Sequence, residues 1–236
     1  MKIMDVSAYS KVMSITTWTK FNGVTADAAP FNWATIYTYT TNATATVVTN
    51  WIGAAISTSP NIPNTIDGQP VIVTASSTFN AKTTVTNCYI GANVAFSSNS
   101  MVNAFSGCTS LIGVDLIPNS VTTMYQTFRE CTKLVNAPTI PNSVTNMAYT
   151  FWNCSVLVNA PTIGVNVTNM RYTFFNCVKL VGNITVVNTG VTTFLNCFYG
   201  CNASLAKNLR CPTGSASYNL AINVCNGING VTVVAY

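Results

Sequence analysis

Residues 144–154 read VTNMAYTFWNC and residues 167–177 read VTNMRYTFFNC, so the chain repeats itself at a distance of 23 residues. A fixed period of this length constrains the fold more than any other feature. A unit this short cannot enclose a core and must bury its apolar side chains against neighbouring copies of itself. Aligned on Cys108, Cys131, Cys154, Cys177 and Cys201, the units are MVNAFSGCTSL (101–111), MYQTFRECTKL (124–134), MAYTFWNCSVL (147–157), MRYTFFNCVKL (170–180) and a degenerate FLNCFYGCNASL (194–205). Their shared skeleton is Met-x-x-small-Phe-x-x-Cys-x-x-Leu. On a helical turn or two, Met124, Phe128 and Cys131 share one face, as do Met147, Phe151 and Cys154, and Met170, Phe174 and Cys177. With Leu134, Leu157 and Leu180 they are read as a structural core ladder, repeated once per coil.

An extended piece follows each Leu: LIGVDLIP (111–118), LVNAPTIP (134–141), LVNAPTIG (157–164) and LVGNITVV (180–187). Pro and β-branched residues disfavour helix here and predict strands one coil apart, with Pro138 and Pro161 weakening the parallel pairing locally. Val121, Val144, Val167 and Val191 form a further ladder. Stacking brings equivalent residues to about 4.8 Å, where like charges repel and Asn or Thr fit. That accounts for a charged fraction of only 6% beside 49% hydrophobic residues. The mean hydropathy of +0.36 does not imply membrane insertion. Thr, Asn or Ser breaks every apolar run well short of the roughly 20 residues a spanning helix needs.

The frame SVTNM-x-x-T-F-x-x-C-x-x-L, joined to an APTIPNSVTNM-type strand, resembles the BspA-type leucine-rich repeat and related bacterial surface-protein repeats. The resemblance is strong over roughly residues 101–201 and extends back through PNIPNTIDGQPV (60–71). It implies a leucine-rich-repeat-like, right-handed solenoid, β-dominated, of short strands plus short helical turns, capped at both ends. The chain then divides into an N-terminal arm (1–30), an N-terminal cap with leading repeats (31–100), the core 23-residue repeats (101–205) and a C-terminal cap (206–236). Alternating Thr and apolar residues in 31–56 predict strands, and GSASYNLAINVCNGINGVTVVAY (214–236) predicts a closing helix and strand.

Catalytic material is sparse. There is no histidine, and the acids Asp5, Asp27, Asp67, Asp115 and Glu130 share no repeat position. No carboxylate pair, phosphate loop, nucleophile elbow or metal motif stands out. The cysteines fall at repeat intervals rather than at zinc-ligand spacing. Only Cys197, Cys201, Cys211 and Cys225 come closer together, which leaves a disulfide or a metal open there. Glu130 and Cys201 are the sole, weak support for an enzyme, so no catalytic residue, cofactor or metal is expected. The net charge of +5 comes from scattered Lys and Arg without a basic run, so nucleic acid is not an expected partner. The stretch MKIMDVSAYSKVMSITTWTK lacks the continuous apolar segment of a secretory signal peptide.

What varies while the frame stays fixed points to binding. The residue after Phe is Ser106, Arg129, Trp152 or Phe175, and two residues after Met stand Asn103, Gln126, Tyr149 and Tyr172. Tyr149, Trp152, Tyr172 and Phe175 are expected to form an exposed aromatic patch beside Arg129 and Arg171. Such a patch suits a sugar or protein ligand, a contact between copies of the chain, or simple cover of the core edge. The resemblance implies a non-enzymatic structural and adhesive protein. The expected setting is the surface of a phage particle, as a fibre, decoration or receptor-binding component that reaches a host surface glycan or protein. Residues 1–30 would join it to further copies of itself or to other virion structural proteins. The alternative is a bacterial cell-surface adhesin or protein-interaction scaffold.

Overall fold

Where the backbone donors of one coil point decides the architecture. In the computed structural model, which describes residues 37–41, 43–52, 59–66, 68–225 and 227–236, the N–H groups of a coil divide in two. Thr150, Trp152 and Cys154 donate to Met147, Tyr149 and Phe151, three residues back, at 3.1–3.2 Å. The alternate donors Met147, Tyr149, Phe151 and Asn153 leave the coil and bond Asn169, Arg171, Thr173 and Phe175 of the next one at 2.8–2.9 Å. An α-helix would spend every donor on its own turns. The helical turns expected from the Met-Phe-Cys spacing are therefore successive tight turns instead. Left-handed backbone at two points per unit breaks the helix: Tyr149 (φ 58°) and Asn153 (φ 60°) here, with counterparts in every unit from Asn103 to Gly200. The result is a β-solenoid of about seven turns, mostly strand and turn with little helix.

The inward residues stack. Phe79, Phe105, Phe128, Phe151, Phe174 and Phe198 form a continuous column with ring centroids 5.3–5.7 Å apart and planes within 12°. The backbone repeats at about 4.8 Å, so each ring slips sideways on the next, the offset arrangement that aromatic pairs favour. The Met, Cys, Leu and Val ladders are buried beside it. Phe79 reveals a further coil that the cysteine alignment misses: Ala75 takes the Met slot, Lys82 the Cys slot and Val85 the Leu slot. The thiols also act as donors. Cys131 Sγ donates to the Phe105 carbonyl (3.1 Å) and Cys154 to that of Phe128 (3.0 Å), while Cys177 reaches Phe151 (3.1 Å). Thr127, Thr150 and Thr173 hydroxyls serve the Met101, Met124 and Met147 carbonyls in the same way at 2.8–2.9 Å. Each coil thus satisfies oxygens left over by its neighbour.

The ends are more regular than the middle. A hairpin of β1 (Tyr37–Thr41) and β2 (Thr46–Trp51) opens the stack. β2 runs parallel to β5 (Gln69–Val73), which pairs β7 (Ala95–Phe96) and, antiparallel, β4 (Thr65–Ile66). A second parallel set joins β3 (Asn61–Ile62), β6 (Asn87–Ile90) and β8 (Gly113–Val114). At the C-terminal end β9 (Gly182–Thr185), β10 (Lys207–Cys211) and β11 (Val231–Ala235) are parallel, with a helix at Ala216–Val224 whose Ser215 caps the N–H of Tyr218. Between β8 and β9 the expected strands shrink to single bridges, Asn136 with Asn159 and Ile163 with Val186, because Pro138 and Pro161 bring no N–H to the ladder. A side-chain amide bond from Asn159 Nδ2 to Asn136 Oδ1 (2.9 Å) supplements the pairing there. The buried Lys207 ammonium donates to the carbonyls of Asn202, Leu205 and Asn229, one per proton, and ties the last turn to the cap. The arm expected over residues 1–30 lies outside the described residues.

Because Phe151 stacks on both neighbours, Phe151→Ala should cost about 3–5 kcal/mol in urea unfolding. A loss below about 1 kcal/mol would show that the ring column does not carry the stack.

Candidate functional site

Two rows of side chains run along the outside of the turns, set by the left-handed positions and by the residue after Phe. In the first row Tyr149 and Tyr172 stack with centroids 4.8 Å apart, and Tyr125 meets Tyr149 edge-on at 5.6 Å. In the second, Trp152, Phe175 and Tyr199 stack at 5.6 and 5.3 Å. A Tyr172–Phe175 contact at 5.6 Å joins the rows into one ribbon. Arg129 lies 4.6 Å over the Trp152 ring and Arg171 lies 5.1 Å over that of Tyr172. All six residues singled out in the sequence are therefore brought together. The four aromatic ones are half-buried rather than fully exposed, because each ring covers its neighbour.

Tyr125 and Tyr199 belong to the ribbon as well. Tyr125 sits one residue after Met rather than two, so a strict column alignment passes over it. Tyr199 stands in the degenerate fifth unit at the position after Phe, and extending that column by one unit would have found it. Bulky residues pay for left-handed backbone, on the order of 1–2 kcal/mol each. The Gly or Asn found at most of the other left-handed positions fits more easily. Tyr149 and Tyr172 stand there all the same, and their ring contact offsets part of that strain.

Stacking decides what the ribbon can present. Inner rings spend their faces on one another and offer their edges, the positive side of the aromatic quadrupole, together with phenol groups and guanidinium groups. Arg129 is paired with Glu130 at 2.8 Å, whereas Arg171 is exposed and in no ion pair among the described residues. Asn196 donates to the Tyr172 hydroxyl (2.9 Å), and this bond, then Arg171, holds the phenol below its usual pKa. Asn176 Nδ2 donates to Asn153 Oδ1 (2.7 Å) in the adjacent row.

The residues that gave an enzyme its weak support are otherwise engaged. Glu130 faces Arg129, and the buried Cys201 thiol donates to the Phe174 carbonyl (3.2 Å), with burial pushing its pKa up to about 11. All nine cysteines are free and buried, including Cys197, Cys211 and Cys225. No group of three His, Cys, Asp or Glu converges as a metal site, and no helix is long and apolar enough to cross a membrane, both among the described residues.

Residues 74–205 match the BspA type leucine rich repeat region in six copies. The matched span begins with the Phe79 coil, ahead of the five units legible in the sequence. No curated protein matches the chain. Among solved structures, a leucine-rich repeat protein of T. pallidum is 21% identical with a TM-score of 0.59, over 74% of this chain and 79% of that one. A leucine-rich repeat protein of Bacteroides ovatus is 19% identical with a TM-score of 0.57, over 75% of this chain, which spans 48% of that longer one. Both likenesses concern the fold.

The thiols give this solenoid a characteristic alkaline limit. Burial raises all nine thiol pKa values above the ordinary value of about 9, Cys108 and Cys225 to about 12. Well below pH 9 both states keep their protons and stability is unaffected. Above it the unfolded chain ionises while the folded one does not, so stability falls as pH rises. All nine groups act in the same direction, so the loss steepens as pH rises. Circular dichroism and thiolate absorbance should therefore change together, cooperatively, between about pH 9 and 11. Thiolates that titrate gradually in a chain that stays folded would contradict the buried ladder.

Proposed function

The chain belongs to the BspA-type leucine-rich repeat family, and from that premise we propose that it is a non-enzymatic attachment module whose aromatic and arginine ribbon is the adhesive face. One observation carries this reading. The frame residues are nearly invariant from unit to unit and buried, while the two outward positions differ between units and collect Trp, Tyr, Phe and Arg in one continuous strip. These side chains give large contact area at low entropy cost and dominate binding hot spots. Protonated, inaccessible thiols and a glutamate held by arginine offer no nucleophile or base, which supports binding rather than catalysis.

The setting we propose is the surface of a phage particle, where several copies face a host surface glycan or protein. A weak strip per chain then gains avidity from simultaneous engagement. Residues 1–30 would serve as the attachment or self-association segment. The alternative setting is a bacterial cell surface, where the same ribbon would act as an adhesin or scaffold face.

The test is adherence of the purified full chain to a panel of intact bacterial cells, read by flow cytometry, with Trp152→Ala/Tyr172→Ala alongside. Both proteins should show the same circular dichroism, and the variant should lose most of the adherence. Retained adherence would remove the ribbon as the adhesive face. If light scattering instead finds the parent oligomeric and the variant monomeric, the ribbon is a contact between copies.

A further inference from the structure

The second row of the ribbon ends in an open ring face, and we infer that this face, on Tyr199, is a stacking platform for an uncharged sugar ring. The inference rests on the attachment reading and narrows it to one position. Within the ribbon, Trp152 lies between Arg129 and Phe175, and Phe175 between Trp152 and Tyr199. A ligand ring has no face to lie on in either place. Tyr199 stacks on Phe175 through one side, at 5.3 Å and 18°, and is 58% exposed. Among the described residues no ring or cation is set against its other side.

The surroundings of that face define the occupant. Leu195, four residues earlier in the same unit, is 43% exposed and adds apolar surface to this end of the stack. Asn196, Asn202 and Ser204 are exposed close by in sequence, on the same turn or the one after it, and supply amide and hydroxyl groups. Gly200, left-handed at φ 74°, adds no side chain of its own. No charged residue stands between Leu195 and Ala206. An apolar ring face on a stretch whose exposed polar side chains are neutral donors and acceptors suits a pyranose, whose ring presents C–H groups on its face and hydroxyls around its edge. The ammonium of Lys207, which lies against this stretch, is buried and held by the carbonyls of Asn202, Leu205 and Asn229. The Tyr149–Phe175 patch read from the sequence is then the rigid support of the platform, since each stacked ring fixes the next.

The experiment is saturation-transfer NMR and calorimetry on the full chain with neutral hexasaccharides: maltohexaose, cellohexaose, chitohexaose and mannohexaose at millimolar concentration. At least one should bind, with saturation strongest on the C–H protons of a single ring. Tyr199→Phe should keep the affinity and Tyr199→Ala should lower it roughly tenfold, the scale of one stacking contact. Val165→Ala, at an exposed position outside the ribbon, should change it less than about twofold. No binding by any of the four sugars, or an affinity indifferent to Tyr199→Ala, would overturn the platform. Cell adherence separates the two ideas: loss with Trp152→Ala/Tyr172→Ala but not with Tyr199→Ala leaves the adhesive ribbon standing and removes the platform. Loss with neither removes both.

Discussion

The ladder of hydrogen bonds between coils is the interaction on which everything else in this protein depends. Alternate N–H groups leave their own turn and bond the next coil, four times at each boundary from the Met101 coil to the Phe194 coil. That division is possible only because two residues per unit hold left-handed backbone. Met, the small residue, Phe and Cys then point inward together, and the Phe column follows without further adjustment. The same geometry leaves carbonyl oxygens that a neighbouring coil must satisfy. Thr150 and Cys154 are placed to do so. A buried thiol or hydroxyl in these slots is therefore a hydrogen-bond donor as well as a core filler.

The outer surface obeys the same repeat. Any side chain outside the core meets its own counterparts at about 4.8 Å, so a row can be hydroxyls, amides or rings but not like charges. Thr122, Thr145, Thr168 and Thr192 illustrate the hydroxyl case, each donating to the carbonyl of the preceding coil. Rings illustrate the other. Placing Tyr at the left-handed position of two successive units makes a stack, and the stack hides the faces that isolated aromatic residues would show. Periodicity thus shapes recognition as well as folding, since edges and ends are what a stacked row has to offer.

The core of the five cysteine-marked units was legible in the sequence. Phe151, Cys154 and Leu157 recur at fixed intervals, and every ladder residue read as inward is buried. The turn geometry was not, because Met, Phe and Cys at spacings of four and three suit an amphipathic helix as well as a chain of tight turns. The Asn and Gly two places after Phe were the available sign of left-handed backbone. The Phe79 coil was hidden because Lys82 replaces the marker cysteine, although Phe79 and Val85 keep their places. The ribbon was legible as a set of residues. Its half-burial was not, since stacking is a property of neighbouring coils and a column alignment shows no ring planes. Pro138 and Pro161 correctly foretold the gap in the strand pairing.

Deletion of one whole unit asks whether the coils are interchangeable, hydrogen-bonded units. Removing Met147–Asn169, 23 residues, joins Asn146 to Met170 and should leave every ladder in register. This shortened chain should keep a single cooperative urea transition and lose one coil rise, about 4.8 Å, from its long dimension in small-angle scattering. Removal of residues 147–157 alone, which breaks the register, should unfold the stack. If the 23-residue deletion unfolds, or if both deletions are tolerated equally, the coils are not the interchangeable, hydrogen-bonded units described here.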